Sequence, residues 1–190
     1  RPAGVVGRRA AGQVMSPDVL ADLVLARAHP AGTGPDGEQR WHAGGDLLLR
    51  LWPDGTQCWY RHGQRHRGGT SQDRPAVIRA DGSQLWYRDG QQHRDGDRPA
   101  YIGANGSQYW CRDGQRHRDG DRPAYIGANG TQYWYRDGQL HRDGDRPAYI
   151  GANGTQYWYQ DDRLHRDGDR PAYIGANGAQ EWWVDGRRVK

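Results

Sequence analysis

Apolar and aromatic residues along most of this chain come in runs of two to four, separated by polar stretches rich in glycine, and the runs return at a fixed interval. The block Asp121–Gly144, DRPAYIGANGTQYWYRDGQLHRDG, restarts at Asp145, a period of 24 residues. Near-copies begin at Asp73 and Asp97, and Asp169 starts a shortened one. Glycine falls about every fourth or fifth residue there, a spacing no helix tolerates, while the runs PAYIGA and TQYWYR predict short strands. A [DN]-G-x-Q-x-W core extends the series upstream to Asp54–Trp59 and Asp36–Trp41. Seven cores result, with tryptophans at 41, 59, 86, 110, 134, 158 and 182, and self-similarity at such a period is the signature of a repeat array.

Each repeat carries its own turn chemistry. Asn129-Gly130 lies between two strand-like runs and predicts a two-residue type I′ hairpin, in which both central residues need positive φ. Asp137-Gly138 predicts a second turn. Asp143-Gly144-Asp145-Arg146-Pro147 forms the link to the next unit, since proline cannot donate to a central ladder.

Alternate strand residues face opposite sides, and the copies within the chain indicate which side is buried. The Trp134 position is Trp in all seven cores, and the Ile126 position is Ile or Leu (Leu51, Ile78, Ile102, Ile150, Ile174). The Tyr133 position is also Arg40, Leu85 and Glu181, and the Tyr125 position is also Arg50 and Val77. Tolerance of charge implies water. The expected core is therefore Trp59, Trp86, Trp110, Trp134, Trp158 and Trp182 with the isoleucines. Tyr101, Tyr109, Tyr125, Tyr133, Tyr149 and Tyr157 are expected on an exposed or half-exposed face that a partner can reach.

The regular repeats are 73–96, 97–120, 121–144 and 145–168, with a partial one over 169–190, inside an array spanning 36–190. Residues 1–35 are read as an N-terminal tail and capping helix. Ser16-Pro17-Asp18 opens that helix, which runs to about His29 with Leu20, Leu23, Val24 and Arg27 at amphipathic spacing. An open array end exposes an unpaired edge, so atypical caps are expected; Trp182-Trp183 and the basic tail supply the other. The expected fold is all-β: an elongated single-layer or solenoid-like array of about seven hairpin repeats with a short N-terminal helix. At about 4.8 Å per strand it runs on the order of 65 Å.

Composition sharpens this picture. A mean hydropathy of −1.13 suits a chain too polar to collapse, but 9 Trp and 11 Tyr at fixed positions, with no Phe, indicate a fold that buries rings. The net charge of +4 does not lie in the repeats: segment 121–144 balances Arg122, Arg136 and Arg142 against Asp121, Asp137 and Asp143. The excess sits in Arg1, Arg8, Arg9 and the tail Arg187, Arg188 and Lys190. Nucleic acid needs a concentrated positive stripe, so it is not an expected partner. Cys58 and Cys111 occupy different repeat positions, so no disulfide frame is expected. No run approaches the ~20 apolar residues of a transmembrane helix, and residues 1–15 lack the apolar centre of a signal peptide. The cytoplasm is the default compartment.

The histidine ladder His66, His93, His117, His141 and His165 raises a metal reading, but members one repeat apart are spaced at roughly 9–10 Å, and zinc needs ligands converging on one ion. Structural histidines are expected. Asp143-Gly144-Asp145 and its copies raise calcium, which wants six to eight oxygens; because each aspartate has an arginine beside it, a ladder of Asp–Arg ion pairs is expected instead. No nucleophile recurs with a His and an acid, and no phosphate loop opens a helix. Catalytic residues, cofactor and metal are all expected to be absent.

The order Trp134, Gly138, His141, followed by Asn153-Gly154 and Tyr157, resembles the MORN repeat, and most closely its variant forms in bacterial and viral proteins. The resemblance covers about 36–190. It implies hairpins aligned into a long twisted single-layer sheet, and a scaffold or interaction module without catalytic residues. Where the standard repeat has His-Gly-x-Gly, this chain has His141-Arg142-Asp143-Gly144-Asp145, so a link of different shape is expected. A weaker likeness is to the aromatic cell-wall-binding repeats, whose period is shorter. The expected function is a non-enzymatic scaffold or protein-interaction module presenting a repeated aromatic surface to a protein partner. The alternatives are a glycan- or cell-envelope-binding module, or a self-assembling structural subunit.

Overall fold

The structure is a computed structural model and describes residues 19–20, 23, 27–44, 46–67 and 73–190, with the backbone alone at Leu47. Its main element is one antiparallel sheet in which successive hairpins pair in chain order. Seven hairpins contribute to it, one per repeat core, from His29–Thr33 with Gln39–Ala43 to Tyr173–Ile174 with Gln180–Glu181. The sheet thus begins at His29, ahead of residue 36. Within the regular repeats each strand is two residues long: Tyr125 pairs with Tyr133 and Ile126 with Gln132 inside a hairpin, and Gln132 with Ile150 and Tyr133 with Tyr149 across to the next.

The chain leaves this sheet at each tryptophan. Trp134 donates its N–H to the Ala148 carbonyl of the next repeat at 2.8 Å, and its own carbonyl accepts from His141 at 3.1 Å. One bond belongs to the sheet and the other to a side hairpin, Tyr135–Arg136 with Gln139–Leu140. Such side hairpins recur at 87–92, 111–116, 159–164 and 183–188. They stack in a second column through single bonds, such as Gly138 N–H to the Arg116 carbonyl at 2.9 Å and Gly114 N–H to the Gln92 carbonyl at 3.0 Å.

The two turns exchange the roles expected of them. Asp137 and Gly138 have φ of 48° and 86°, as a type I′ turn requires, and they close the side hairpin. At Asn129-Gly130 only Gly130 has positive φ, 87°. The Gly127 carbonyl accepts from Gly130 N–H at 2.9 Å and Gly127 N–H donates to Thr131 at 2.8 Å, which is a type I turn closed by a left-handed glycine. Asn129 stays out of the left-handed region because its side-chain oxygen accepts the Thr131 N–H at 3.1 Å.

Trp59, Trp86, Trp110, Trp134 and Trp158 are buried, and Trp182, in the last repeat, is half-buried. The residues sealed most completely beside them are Ala76, Ala100, Ala124, Ala148 and Ala172, all at 0 % exposure. The expectation that the isoleucines join the core is corrected. Ile102, Ile126, Ile150 and Ile174 are half-buried, whereas Leu51, which the same register sets between two glutamines, is buried in the cluster with Val19 and Leu23.

The cap at the first repeats has a core of its own. Helical Val19 and Leu23 pack with Trp41, Leu49, Leu51 and Trp59. The buried helix face is Val19/Leu23, and Leu20 is exposed. The helix ends before His29: Arg27 has φ 51°, and Ala28 N–H donates back to the Leu23 carbonyl at 2.9 Å. The expected helix residues 16–18, 21, 22 and 24–26 lie outside the described residues. No described helix is long and apolar enough to cross a membrane.

Candidate binding surface: the tyrosine ladder

Because the register pairs tyrosine with tyrosine on each successive strand from Tyr101 to Tyr173, the rings form one line. Tyr101, Tyr109, Tyr125, Tyr133, Tyr149, Tyr157 and Tyr173 follow each other with ring centroids 4.7–5.2 Å apart and planes tilted by 36–66°. All six tyrosines singled out by sequence thus lie in one row, and Tyr173 continues it. Each is half-buried. Towards the first repeats the same row is taken by Leu85, Val77 and Cys58, which are buried, so the row is not open along its whole length.

In the leading strand of each hairpin, Tyr101, Tyr125, Tyr149 and Tyr173 lie over a glycine two residues on. A Cβ on Gly127 would stand 2.9 Å from the Tyr125 hydroxyl oxygen, and the same holds for Gly103 with Tyr101 and Gly151 with Tyr149. These glycines have no positive φ; the ring, not the backbone, excludes a side chain. The sequence contains the signal. Where Val77 and Arg50 replace the tyrosine, the place two residues on is Arg79 and Trp52; in the first hairpin, where Gly32 holds the tyrosine place, Gly34 keeps the glycine. Reading the repeats position by position missed this coupling.

The side hairpins flank the row. Tyr135 and Tyr159 lie 6.2 Å from Tyr133 and Tyr157. Arg116 sits 4.8 Å from the Tyr109 ring centroid and 5.2 Å from that of Tyr135, and donates to the Tyr135 hydroxyl at 3.0 Å. Partial burial, then the neighbouring phenols, push the Tyr109, Tyr133 and Tyr157 hydroxyls above their ordinary pKa. The row is therefore a neutral, hydroxyl-edged aromatic strip.

On the other column the charged residues tie repeat to repeat. The rings of His93, His117, His141 and His165 each lie between two aspartates, one in the same repeat and one in the next: His141 Nε2 is 3.0 Å from Asp143 and Nδ1 is 2.8 Å from Asp161. Arg118, Arg142 and Arg166 lie 3.8–3.9 Å over Trp110, Trp134 and Trp158 and bind Asp97, Asp121 and Asp145, each the first residue of the same repeat. The aspartates of the Asp-Gly-Asp link are thus engaged by histidine and arginine, and among the described residues no group of three metal-ligating side chains converges. Burial pushes the Cys111 thiol up to about 11, so it is no nucleophile near neutral pH. No protein-family model, curated protein or solved structure matches this chain.

Proposed function

We propose that the protein is a non-enzymatic scaffold whose tyrosine ladder docks a protein partner. The observation that carries this reading is the unbroken row from Tyr101 to Tyr173, half-exposed and neutral, on one face of a sheet. Tyrosine combines a large rigid contact area with a polar tip, the composition favoured at protein interfaces. Near-identical repeats supply the same chemistry many times, which suits an extended contact; an active site needs one asymmetric set of different groups. The resemblance to MORN repeats points the same way. The ring tilts favour protein over glycan: neighbours at 4.7–5.2 Å partly engage each other's faces, whereas sugar stacking needs a free face.

A photo-crosslinking residue placed at Tyr133, and separately at Gln132 on the opposite face, tests the reading in an extract of the source cells. Adducts to a protein from position 133 and none from 132 are expected. Equal adducts from both, or a glycan adduct from 133, would count against it.

A further inference from the structure

In three successive side hairpins an arginine and a histidine close on one carboxylate oxygen. Arg88 Nη1 and His93 Nε2 lie 3.0 and 2.9 Å from Asp95 Oδ1. Arg112 Nη2 and His117 Nε2 both lie 3.0 Å from Asp119 Oδ1. Arg136 Nη1 and His141 Nε2 both lie 3.0 Å from Asp143 Oδ1. The seats match because the spacing does: the histidine follows the arginine by five residues and the aspartate follows the histidine by two.

A further side hairpin, Tyr60–Arg61 with Gln64–Arg65, precedes these; it keeps the cations, and its sequence has no aspartate at the matching position. Arg61 and His66 hold the same two places, but the chain reads His66-Arg67-Gly68-Gly69 where the others read His-Arg-Asp-Gly. The frame around them is otherwise the same. His62 and Gly63 form the left-handed turn with φ of 48° and 74°, and His66 N–H donates to the Trp59 carbonyl at 3.1 Å, as His93 does to Trp86. The Asp89 backbone N–H donates to His66 Nδ1 at 3.3 Å, as that of Asp113 does to His93. His66 Nδ1 also lies 3.3 Å from the Asp89 carboxylate, so Asp89 holds that edge of the ring, and Nε2 is the atom that faces the carboxylate in the sister hairpins.

The pair opens on a cleft of about 480 Å³, walled also by Trp86 and Tyr87. Five arginines line it, and Asp95 is the one carboxylate among its described lining residues. The corresponding cleft at Trp134 has five arginines and three aspartates, Asp119, Asp121 and Asp143. Arg67 and Arg74 of the first cleft are engaged by other groups, so the seat is the Arg61–His66 pair itself.

We propose that Arg61 and His66 bind a carboxylate from outside the chain, in the place that Asp95, Asp119 and Asp143 fill from within it. The cleft beside Trp86 and Tyr87 receives the rest of the ligand. The carboxylate comes from an acidic side chain of a protein partner or from a free small acid. This inference stands apart from the tyrosine reading, since the seat belongs to the column of side hairpins.

The test is titration of the full chain with sodium acetate, glutamate, a polyglutamate peptide and sodium phosphate at matched ionic strength, followed by the His66 ring and Trp86 indole NMR signals. Saturable shifts with the carboxylates are expected. Gly68→Asp and Arg61→Gln should each weaken them at least about tenfold, and Gly68→Asp, by filling the seat internally, should also raise the melting temperature. A peptide that binds more tightly than acetate identifies a protein acid as the source; equal affinity identifies a small acid. Shifts absent with every carboxylate, shifts that survive both substitutions, or a preference for phosphate would overturn the proposal.

Discussion

Arg142 donates from Nε and Nη2 to the two carboxylate oxygens of Asp121, 21 residues earlier, at 2.6 and 2.8 Å. It does so while lying over Trp134 and donating to the Pro147 carbonyl at 3.0 Å. One side chain therefore connects the first residue of its own repeat, the core tryptophan and the opening of the next repeat. Arg118 and Arg166 repeat the arrangement, so the stability of each unit depends on its neighbours.

Trp134→Ala should destabilise the fold by about 3–5 kcal/mol, the range for a buried Trp truncated to Ala, and the loss should spread to adjacent repeats through their interfaces. Trp182→Ala, in the half-buried last position, should have a clearly smaller effect. Urea unfolding of both variants checks the order; equal losses would contradict the burial gradient.

The ion-pair ladder predicts an acid limit to stability. The guanidinium of Arg118, Arg142 or Arg166 holds Asp97, Asp121 and Asp145 below the ordinary carboxylate range, and the histidines do the same for Asp95, Asp119 and Asp143. A carboxyl more acidic in the folded than the unfolded chain contributes stability above its unfolded pKa, near 3.9, and loses it as the pH falls through the folded value. The melting temperature should change little between about pH 7 and 5 on this account and fall below about pH 4. The triple variant Asp97→Asn, Asp121→Asn, Asp145→Asn should start lower and fall less; an acid limb as steep as the parent's would sink the assignment.

Gly127→Arg alone should destabilise the protein, because the new Cβ meets the Tyr125 ring. Gly127→Arg with Tyr125→Val should recover most of the loss, as Val77 and Arg79 already coexist in the chain. A double-mutant cycle in thermal melts measures the coupling. Additive losses would show that the glycine is needed for another reason.

Asp162 stands where other repeats have the second turn glycine and has φ 64°. Its carboxylate accepts the Leu140 N–H at 2.7 Å, which offsets the left-handed backbone. Asp162→Gly should be close to neutral, exchanging strain for the lost bond. Asp162→Ala keeps the strain and loses the bond, so it should cost about 1–2 kcal/mol, measured by denaturant midpoint.

The period, the seven hairpins and the line of tyrosines were legible because each rests on residues that recur at one position. The turn types were not. Asn129-Gly130 and Asp137-Gly138 carry the same local signal, and which becomes type I′ depends on loop length and on Asn129 capping Thr131. Ile126 looked like core on the constancy of its position, but burial there depends on a covering element: Leu51, also set between glutamines, is buried in the cluster with Val19 and Leu23. The sealed alanines gave no signal by size; they are buried because Trp134 bonds to the backbone of Ala148. The seat at Arg61 and His66 becomes visible only when the filled copies can be compared in three dimensions.

The central claim, that the tyrosine ladder is the contact surface, is tested most directly by affinity against repeat number. Chains that keep both end units and hold three, four or five regular repeats are titrated with the partner recovered by crosslinking at position 133. The account predicts that affinity rises with each added repeat, through successive contacts on one continuous row. The same affinity in all three chains would contradict it and place the binding site at an end of the array.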